Sequence, residues 1–528
     1  MYEGSSSSSG DEAINWFYPI PSFGNDNDMA TGVLDEAMLP FAAEAPSLLS
    51  YIDTRQEAYP FAIQAPARVV APRAIPRSLP LLITGVDSVV EQKCFFHFTS
   101  VTSKVLTTST DDKNPLLTVV LPRSLDDAMI SKAISCLGCS HLANLRHKQH
   151  ALEGNSIDTN TNSLEPQAEQ RRMLALAENE LERRLSAFKA SGGRQTSTSN
   201  KEFEALLTAT LLLCLYEISE GSGNQIWRTR LDKARDLIED ALPKTGPSYG
   251  FASTTTWPSP ATPSPSPSRS VSLSLALGVD QFLIDYFVYH DVLAGVTDRA
   301  RKPLLISSAR SPLAPQQSPA YVIGVEDDGL AELIANITAL RTMAATHGRK
   351  SPTVVCEAIR IWEKLDTWTP GPNMNMNSDG IDNDAGTDDD NDTTLVDRDL
   401  QLACAAYTSA LFVWLYSIVY PENMQDEKVT AAIQRGLGGV HAIQSQGMLA
   451  FLLFPAFTLG AACILQPQRE DATRLFERLK GFSNLGNVRL AQSVVERAWS
   501  DFDSGANRET WWDWLGQMER SGVSLPVT

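Results

Sequence analysis

The sequence has few of the residues with which proteins bind nucleic acids or metals. Its first fifty residues contain no lysine or arginine, and the whole chain of 528 residues has 44 basic and 63 acidic side chains, a formal net charge of −19. Such an acidic chain repels phosphate backbones. Acidic or apolar residues also interrupt its densest basic stretches, which are Arg171–Arg172, Arg183–Arg184 and Arg299 to Lys302. We therefore do not expect the molecule as a whole to be built for clamping nucleic acid.

Motifs for catalysis are also lacking. The sequence contains no G-x-S-x-G, no H-E-x-x-H, no Walker loop and no G-x-G-x-x-G after a strand. The nearest candidate for an acid–base pair is His290-Asp291, but adjacent residues on a helix point in different directions. A structural role is favoured. The alternative is a cytosolic helical enzyme or ligand-binding protein with convergent polar groups near His290, Asp291 or Glu217.

The cysteines and the start of the sequence favour an intracellular protein. The seven cysteines are an odd, scattered set with mostly apolar neighbours, which is typical of thiols packed in a core in a reducing compartment. The first residues show no basic segment followed by an apolar one, so we expect no secretory signal.

Two long uncharged stretches, residues 400–420 and 448–465, approach the length of a membrane span. The second contains Pro455, and neither has a flanking basic belt that would orient it in a membrane. We expect both to be core helices of a large helical domain, with a membrane protein as the lesser alternative.

One short stretch, SCLGCSHLANLRH, resembles a metal site because Cys136 and Cys139 precede His141 and His147. Structural zinc usually has four ligands, and the two cysteines of a zinc knuckle normally lie in a tight turn. Here the flanking residues favour a helix. The spacing of the histidines is also unusual for zinc, so we interpret the cysteines as core residues. An aspartate-rich stretch near residue 385 has no EF-hand register, which favours a solvated loop.

The pattern along the chain predicts an all-α fold. Residues 1–75 combine acidic residues with aromatic ones and predict a disordered N-terminal segment, which is either a segment of the kind that activates transcription or a solubilising tail. Long Ser/Pro-rich and Asp-rich loops are predicted over 246–274 and 370–396, inside one helical domain that spans 91–520. Apolar periodicity predicts helices over 125–145, 165–189, 202–217, 227–242, 280–293, 330–345, 353–368, 398–419, 426–453, 455–482 with a break near Pro467, and 488–502.

Several segments in order resemble the fungal-specific transcription factor domain, the regulatory domain of fungal binuclear zinc-cluster factors. They include FFHFTSVTSKVLTT, NPLLTVVLP, SCLGCSHLANL, LLTATLLLCLYEISEGSGNQIWRTRLDKARDLI, FLIDYFVYHDVLAGVT, LAELIANITAL, LLFPAFTLGAACI and the closing GFSNLGNVRLAQSVVERAWSDFDSG with WWDWL. The resemblance covers roughly residues 91 to 520. Arg230-Leu231-Asp232-Lys233-Ala234 departs from the family's usual His-Leu-x-Gly-Ala, which puts shared fine contacts in doubt.

The resemblance implies a nuclear regulator of RNA polymerase II genes, specific for a pathway or gene cluster, and not an enzyme. Relatives usually carry a zinc cluster of six close cysteines beside a basic helix, whereas the first cysteine here is Cys94. The resemblance, without the cluster, thus implies action through a DNA-bound zinc-cluster partner or an N-terminal portion missing from this chain, and the helical domain is expected to support a homodimer. It also implies contacts with coactivators or the transcription machinery and a small hydrophobic effector. From the residues themselves we expect no membrane and, because the family's zinc cluster is absent from this chain, no cofactor.

If Cys136 and Cys139 are core residues, their substitution will leave metal content unchanged. We expect purified Cys136→Ser and Cys139→Ser variants to contain as little zinc as the unsubstituted chain, measured by inductively coupled plasma mass spectrometry. Stoichiometric zinc that is lost on Cys136→Ser would contradict this interpretation.

Overall fold

The computed structural model describes residues 83–108, 114–153, 164–191, 197–242, 277–304, 330–368, 390–505 and 512–528. The chain divides into two units, Met1–Ile75 and Pro76–Thr528, and all the described residues belong to the second. The N-terminal segment over 1–75 and the Ser/Pro-rich loop over 246–274 lie outside the described residues. So do the side chains of the aspartate-rich stretch.

Every regular element in the described ranges is a helix, which confirms the all-α prediction. The α-helices are α1 (Val89–His97), α2 (Ser103–Val105), α3 (Leu121–Ser124), α4 (Ala128–Glu153), α5 (Leu164–Ala190), α6 (Ser197–Glu220), α7 (Ile226–Ala241), α8 (Gln281–Thr297), α9 (Leu330–His347), α10 (Pro352–Asp366), α11 (Asp390–Val419), α12 (Glu427–Ala442), α13 (Leu453–Ala461), α14 (Gln466–Ser483), α15 (Gly486–Ser504) and α16 (Trp514–Ser521). Two π-helical turns, Phe98–Thr102 and Leu116–Val120, and two 3₁₀ turns, Pro421–Asn423 and Gly447–Phe451, complete the set.

Two groups of helices share one hydrophobic core. In the N-terminal group α4 packs against α1, α5 and α6, and α6 packs against α7. In the C-terminal group α11 packs against α9, α10, α12 and α13. Helix α8 lies between α7 and α9. The core is continuous through both groups, so the two groups form a single packed body.

The first helix shows how local sequence places these elements. Ser88 caps α1 by accepting a hydrogen bond from the Glu91 amide, and the Glu91 carboxylate accepts one from the Ser88 amide in return. This capping box leaves one Glu91 oxygen for Lys132 of α4, at 2.6 Å. Glu91 is fully buried, and an unpaired buried carboxylate would be costly. The cap therefore also joins α1 to α4.

Most predicted helices differ from the structure by a few residues at their ends, and two of them are divided differently. The helix predicted over 426–453 is wrong as one element, because α12 ends at Ala442 and only a 3₁₀ turn follows. Asp399 accepts hydrogen bonds from the amides of Gln444 and Ser445. These bonds stabilise a non-helical conformation of the chain just after α12. The break predicted near Pro467 lies earlier, between α13 and α14. Pro467 itself is in the first turn of α14, where a missing amide is tolerated.

The other differences lie at the ends of long loops. The loop predicted over 370–396 is wrong from residue 390 onward, because α11 begins at Asp390. Helix α16 was not predicted at all. Its N-cap is Asp513, whose carboxylate accepts a hydrogen bond from the Gly516 amide.

Within the described residues one helical stretch, Arg398–Val419 of α11, is long and apolar enough to cross a membrane, and 83% of its most apolar window is buried. The second uncharged stretch is divided between the 3₁₀ turn at Gly447–Phe451 and α13, in which every residue is buried. Both stretches therefore lie in the core, as predicted.

The N-terminal group closely approaches α15, which packs against α13 of the C-terminal group, where α6 ends and α15 begins. A Cβ atom on Gly486 would lie 2.0 Å from the Glu220 carbonyl oxygen, and one on Gly221 would lie 2.1 Å from the Gly486 carbonyl carbon. Gly221 also has a positive φ of 60°, which favours glycine. Nearby, Arg489 of α15 donates to the Asn144 side chain of α4 at 2.9 Å. We call this region, Gly221, Gly486, Asn144 and Arg489, the seam.

Residues 523–528 extend the seam into the core. The Ser524 amide donates to the Gly223 carbonyl at 2.7 Å, and the Trp227 indole donates to the Ser524 hydroxyl at 2.9 Å. The Thr297 hydroxyl donates to the Leu525 carbonyl and the Asn487 side chain to the Thr528 carbonyl. This segment therefore contacts α7, α8 and α15 at once.

Gly138 provides a direct test of the packing of α4 against α1. A Cβ there would lie 2.1 Å from the Cys94 carbonyl oxygen, whereas one on Gly438 of α12 would meet nothing within 4 Å. We expect Gly138→Ala to lower the free energy of unfolding by about 1–3 kcal/mol because backbone must move. Gly438→Ala, the control, should raise it by up to about 1 kcal/mol through helix propensity. Urea denaturation measures both, and equal effects of the two substitutions would contradict the packing.

Candidate functional site

The cysteines of SCLGCSHLANLRH lie in the core. Cys136 and Cys139 are buried on α4, and Cys139 is within hydrogen-bonding distance of Cys94 of α1. Burial raises the pKa of the Cys136 thiol far above its usual range, and a protonated thiol is a poor metal ligand. Among the described residues no group of three or more histidine, cysteine, aspartate or glutamate side chains is placed to hold a metal ion. The absence of bound zinc stays a prediction.

His141 has a structural position. Its Nε2 lies 2.9 Å from the Ser483 carbonyl oxygen, which can only accept, so Nε2 donates and Nδ1 is the acceptor. Nδ1 lies 3.2 Å from the Thr102 hydroxyl and 3.1 Å from Nε2 of His97, whose ring stacks on it. His141 thus connects α4 to the end of α14. The side chain of His147, the other predicted candidate ligand, lies outside the described part of the chain.

His290 is buried among aromatic rings. The ring edges of Tyr286 and Tyr289 contact it, with centroids 4.7 and 5.0 Å away. Neither ring nitrogen has a hydrogen-bond partner among the described residues. Burial lowers the pKa of His290 to about 3, so the imidazole is neutral near pH 7. In the described part of the chain no acidic group holds it in the orientation that a general base requires.

Asp291 points elsewhere and is already bound. Its carboxylate accepts hydrogen bonds from Arg235 at 2.6 and 2.8 Å and from Arg301 at 2.6 and 2.9 Å. It also accepts one from the Leu304 amide at 2.6 Å. Asp291 is fully buried, so these partners compensate its charge. The carboxylate fixes the chain after α8 to α7.

Glu217 is likewise bound inside the core. It lies 3.1 Å from Arg230, which also forms an ion pair with Glu178 of α5. Burial raises the pKa of the Glu217 carboxyl, and the Arg230 charge opposes that shift. His290, Asp291 and Glu217 therefore belong to three separate arrangements and do not converge on a shared cavity.

Most of the basic residues in the densest stretches are bound in ion pairs. Arg172 pairs with Glu91 and Glu169, and Arg184 pairs with Asp127 and Glu202. Arg301 pairs with Asp291 and Asp232. Guanidinium groups bound in this way hold helices together and are not available to phosphates.

A cavity that the sequence did not indicate lies where α9, α11 and the start of α16 meet. Its volume is about 100 Å³, and its main lining side chains are three arginines and three tryptophans: Arg299, Arg341, Arg349, Trp414, Trp512 and Trp514. The tryptophans are buried, whereas Arg299 and Arg349 are exposed. The WWDWL motif was the only sign of this cavity in the sequence. It did not show which arginines would lie beside its tryptophans.

Arg341 connects this cavity to the end of α8. Its guanidinium donates to the carbonyls of Val296, Gly295 and Asp298 at 2.7–3.0 Å. These are carbonyls that a helix end leaves without intrahelical donors. Its Cζ lies 5.7 Å from the centre of the Trp414 ring. Burial lowers the pKa of Arg341 to about 10, so the group keeps its charge near pH 7.

The buried neutral imidazole of His290 predicts a pH dependence of stability. The unfolded imidazole titrates near 6.5, so between about 6.5 and 3 the unfolded state binds the proton and the folded state does not. Stability is therefore lost as the pH falls through this window, by up to about 1.4 kcal/mol per pH unit. His290→Phe should reduce this loss and match or exceed the original stability at pH 7, by about 1 kcal/mol.

Urea denaturation at several pH values measures the effect. His347→Phe, at an exposed position on α9, is the control and should leave the pH dependence unchanged. An unchanged dependence in His290→Phe would exclude His290 as its source.

Comparison with known proteins completes the description. No curated protein and no solved structure matches the chain. The family model described as fungal specific transcription factor domain matches residues 93–525. This match spans the greater part of the chain and follows the helices from α1 to the segment after α16. The resemblance inferred from the ordered motifs is thereby confirmed, and the chain belongs to the fungal specific transcription factor domain family.

Proposed function

We propose that this chain regulates transcription of RNA polymerase II genes that serve one pathway or gene cluster, and that it acts in the nucleus. The observation that supports the proposal is the family match over residues 93–525, which coincides with a single packed helical body. Membership in this family suggests a regulator of transcription. The polymerase, the pathway and the compartment are the further steps that we propose.

DNA would be recognised through another module. The net charge of −19 opposes binding to phosphates, and Arg172, Arg184 and Arg301 are bound in ion pairs. A DNA-bound zinc-cluster partner or an N-terminal portion missing from this chain would supply the contact, and a homodimer would be formed through the helical body. The chain itself would recruit coactivators or the transcription machinery.

We further propose that the helical body is regulatory and not enzymatic. Support comes from the three candidate catalytic residues, since Asp291 and Glu217 are bound by arginines and His290 faces aromatic rings. The body would contribute dimerisation, inhibition of activation or the binding of a small hydrophobic effector. The acidic and aromatic residues of 1–75 would form the activating surface.

A tethered reporter tests this function with the full chain. The chain is fused to an unrelated DNA-binding domain, and transcription is measured from a promoter that carries the cognate site. We expect transcription to change relative to the DNA-binding domain alone. Replacement of Trp16, Phe17 and Tyr18 by alanine should abolish an activating effect, because these aromatics would insert into the coactivator. Replacement of Ser5, Ser6 and Ser7 by alanine is the control.

A separate measurement tests whether the chain needs a partner to bind DNA. Purified chain is titrated with genomic DNA fragments at physiological salt, beside chromatin immunoprecipitation of the same protein. We expect occupancy in chromatin without tight binding by the purified chain. Sequence-specific binding by the chain alone would contradict the need for a partner, and a silent tethered reporter would contradict the regulatory role.

A further inference from the structure

The cavity between α9, α11 and α16 has an excess of positive charge. Three arginines line it, Arg299, Arg341 and Arg349, against one carboxylate, Asp513. That carboxylate is already bound, since it accepts hydrogen bonds from the Gly516 amide and from Arg299. Arg299 is also paired with Glu519 at 3.0 Å. The lining therefore has more guanidinium charge than its own acidic group neutralises.

Arg349 is the guanidinium best placed to bind something else. It is exposed and forms no ion pair with any described residue, and its Cζ lies 5.7 Å from the centre of the Trp512 ring. Gly348, with a φ of +83°, turns the chain after α9 and so brings Arg349 to the cavity. Among the described residues, the contact shown for this side chain at the edge of the cavity is the one with the Trp512 ring.

Two buried N–H groups of the lining also lack acceptors. Nε of Arg341 and the indole Nε1 of Trp514 have no hydrogen-bond partner among the described residues. Buried donors without acceptors are rare, and each costs free energy. Both belong to side chains that line the same cavity. Both atoms are closed to solvent, so an acceptor in the cavity would reach them only after a small shift of these side chains.

The walls beside these charges are flat and apolar. Trp414, Trp512 and Trp514 are all buried, and packing against Phe454 and Phe457 fixes two of the rings. Planar ligands stack on such rings, and guanidinium groups match a carboxylate in a bidentate geometry. A cavity of about 150 Å³ holds one benzene ring. The volume of about 100 Å³ here is smaller, so a ligand with one such ring would extend out of the cavity on the exposed side, beside Arg349.

We propose that this cavity is a binding site for a small planar organic carboxylate. The carboxylate would lie against the exposed guanidinium of Arg349, and the flat body would lie against the tryptophans. This ligand class differs from a purely hydrophobic effector, because the cavity has charged groups that a hydrophobic molecule would leave desolvated and unpaired.

Binding at this position would connect the C-terminal helix to the centre of the fold. Trp512 and Trp514 precede and begin α16, Arg341 holds the end of α8, and Trp414 belongs to α11. A bound carboxylate would add a contact shared by all three. Its role as an effector of transcription rests on the proposed function, whereas the binding itself does not.

Isothermal titration calorimetry on the purified full chain tests the binding, without any reporter. Benzoate is the probe, and we expect saturable binding with a dissociation constant of about 1 mM or tighter, as suits a ligand of this size. Benzamide has the same ring without the charge, and inorganic phosphate has the charge without the ring. Both should bind at least about tenfold more weakly than benzoate, because benzamide cannot pair with the guanidinium charge and phosphate cannot stack on the tryptophans.

Substitutions locate the site. Arg349→Ala should weaken benzoate binding by about tenfold or more, which is the effect of losing a charged hydrogen bond, and Arg349→Lys should retain part of the affinity. Because Arg349 is exposed and forms no ion pair with the described residues, the melting temperature should not change. Arg360→Ala, at an exposed arginine of α10 that is outside the cavity, is the control and should bind as the original chain does.

Four results would overturn the proposal. They are no saturable binding of benzoate, equal binding of benzamide, equal binding of phosphate, and full affinity in the Arg349→Ala variant. A silent tethered reporter beside normal benzoate binding would count against the regulatory function only.

Discussion

The close approach of two backbones at the seam is the constraint on which the rest of the structure depends. Gly221 and Gly486 let the end of α6 touch the start of α15 at a separation that no side chain allows. Because the obstacle to a larger residue is main chain, movement of a side chain could not relieve it. His141 and Arg489 then fix α4 to the same region. The continuous core follows from this contact between the two helix groups.

Buried charges are the second organising feature, and each is neutralised by neighbours from another element. Glu91 joins α1 to α4 through Lys132, and Asp291 joins α8 to α7 through Arg235. Breaking one such pair leaves an uncompensated buried charge, so these pairs fix which helices are neighbours. The same chemistry explains why acidic and basic residues that look like site residues in the sequence are structural in the fold.

Much of the fold could be predicted, because the apolar periodicity of a helix is visible in a short, continuous part of the sequence. The helices around His290 and Cys136 and the burial of α11 follow from it. The errors lie where a distant side chain decides the outcome, as Asp399 does when it ends α12. The cavity could not be predicted for the same reason. Arg341, Trp414 and Trp512 are far apart in sequence, and only packing brings them together. The predicted site residues His290 and Asp291 are adjacent in sequence, but their side chains contact different residues.

The position of residues 523–528 has a consequence for synthesis on the ribosome. Ser524, Leu525 and Thr528 supply partners for Trp227, Thr297 and Asn487, yet they are translated after every one of those helices. Until they leave the exit tunnel, the indole and hydroxyl donors of the earlier helices have no acceptor there. The nascent helical body therefore lacks these contacts until residues 523–528 have left the ribosome. In this period chaperones would bind the incompletely packed body.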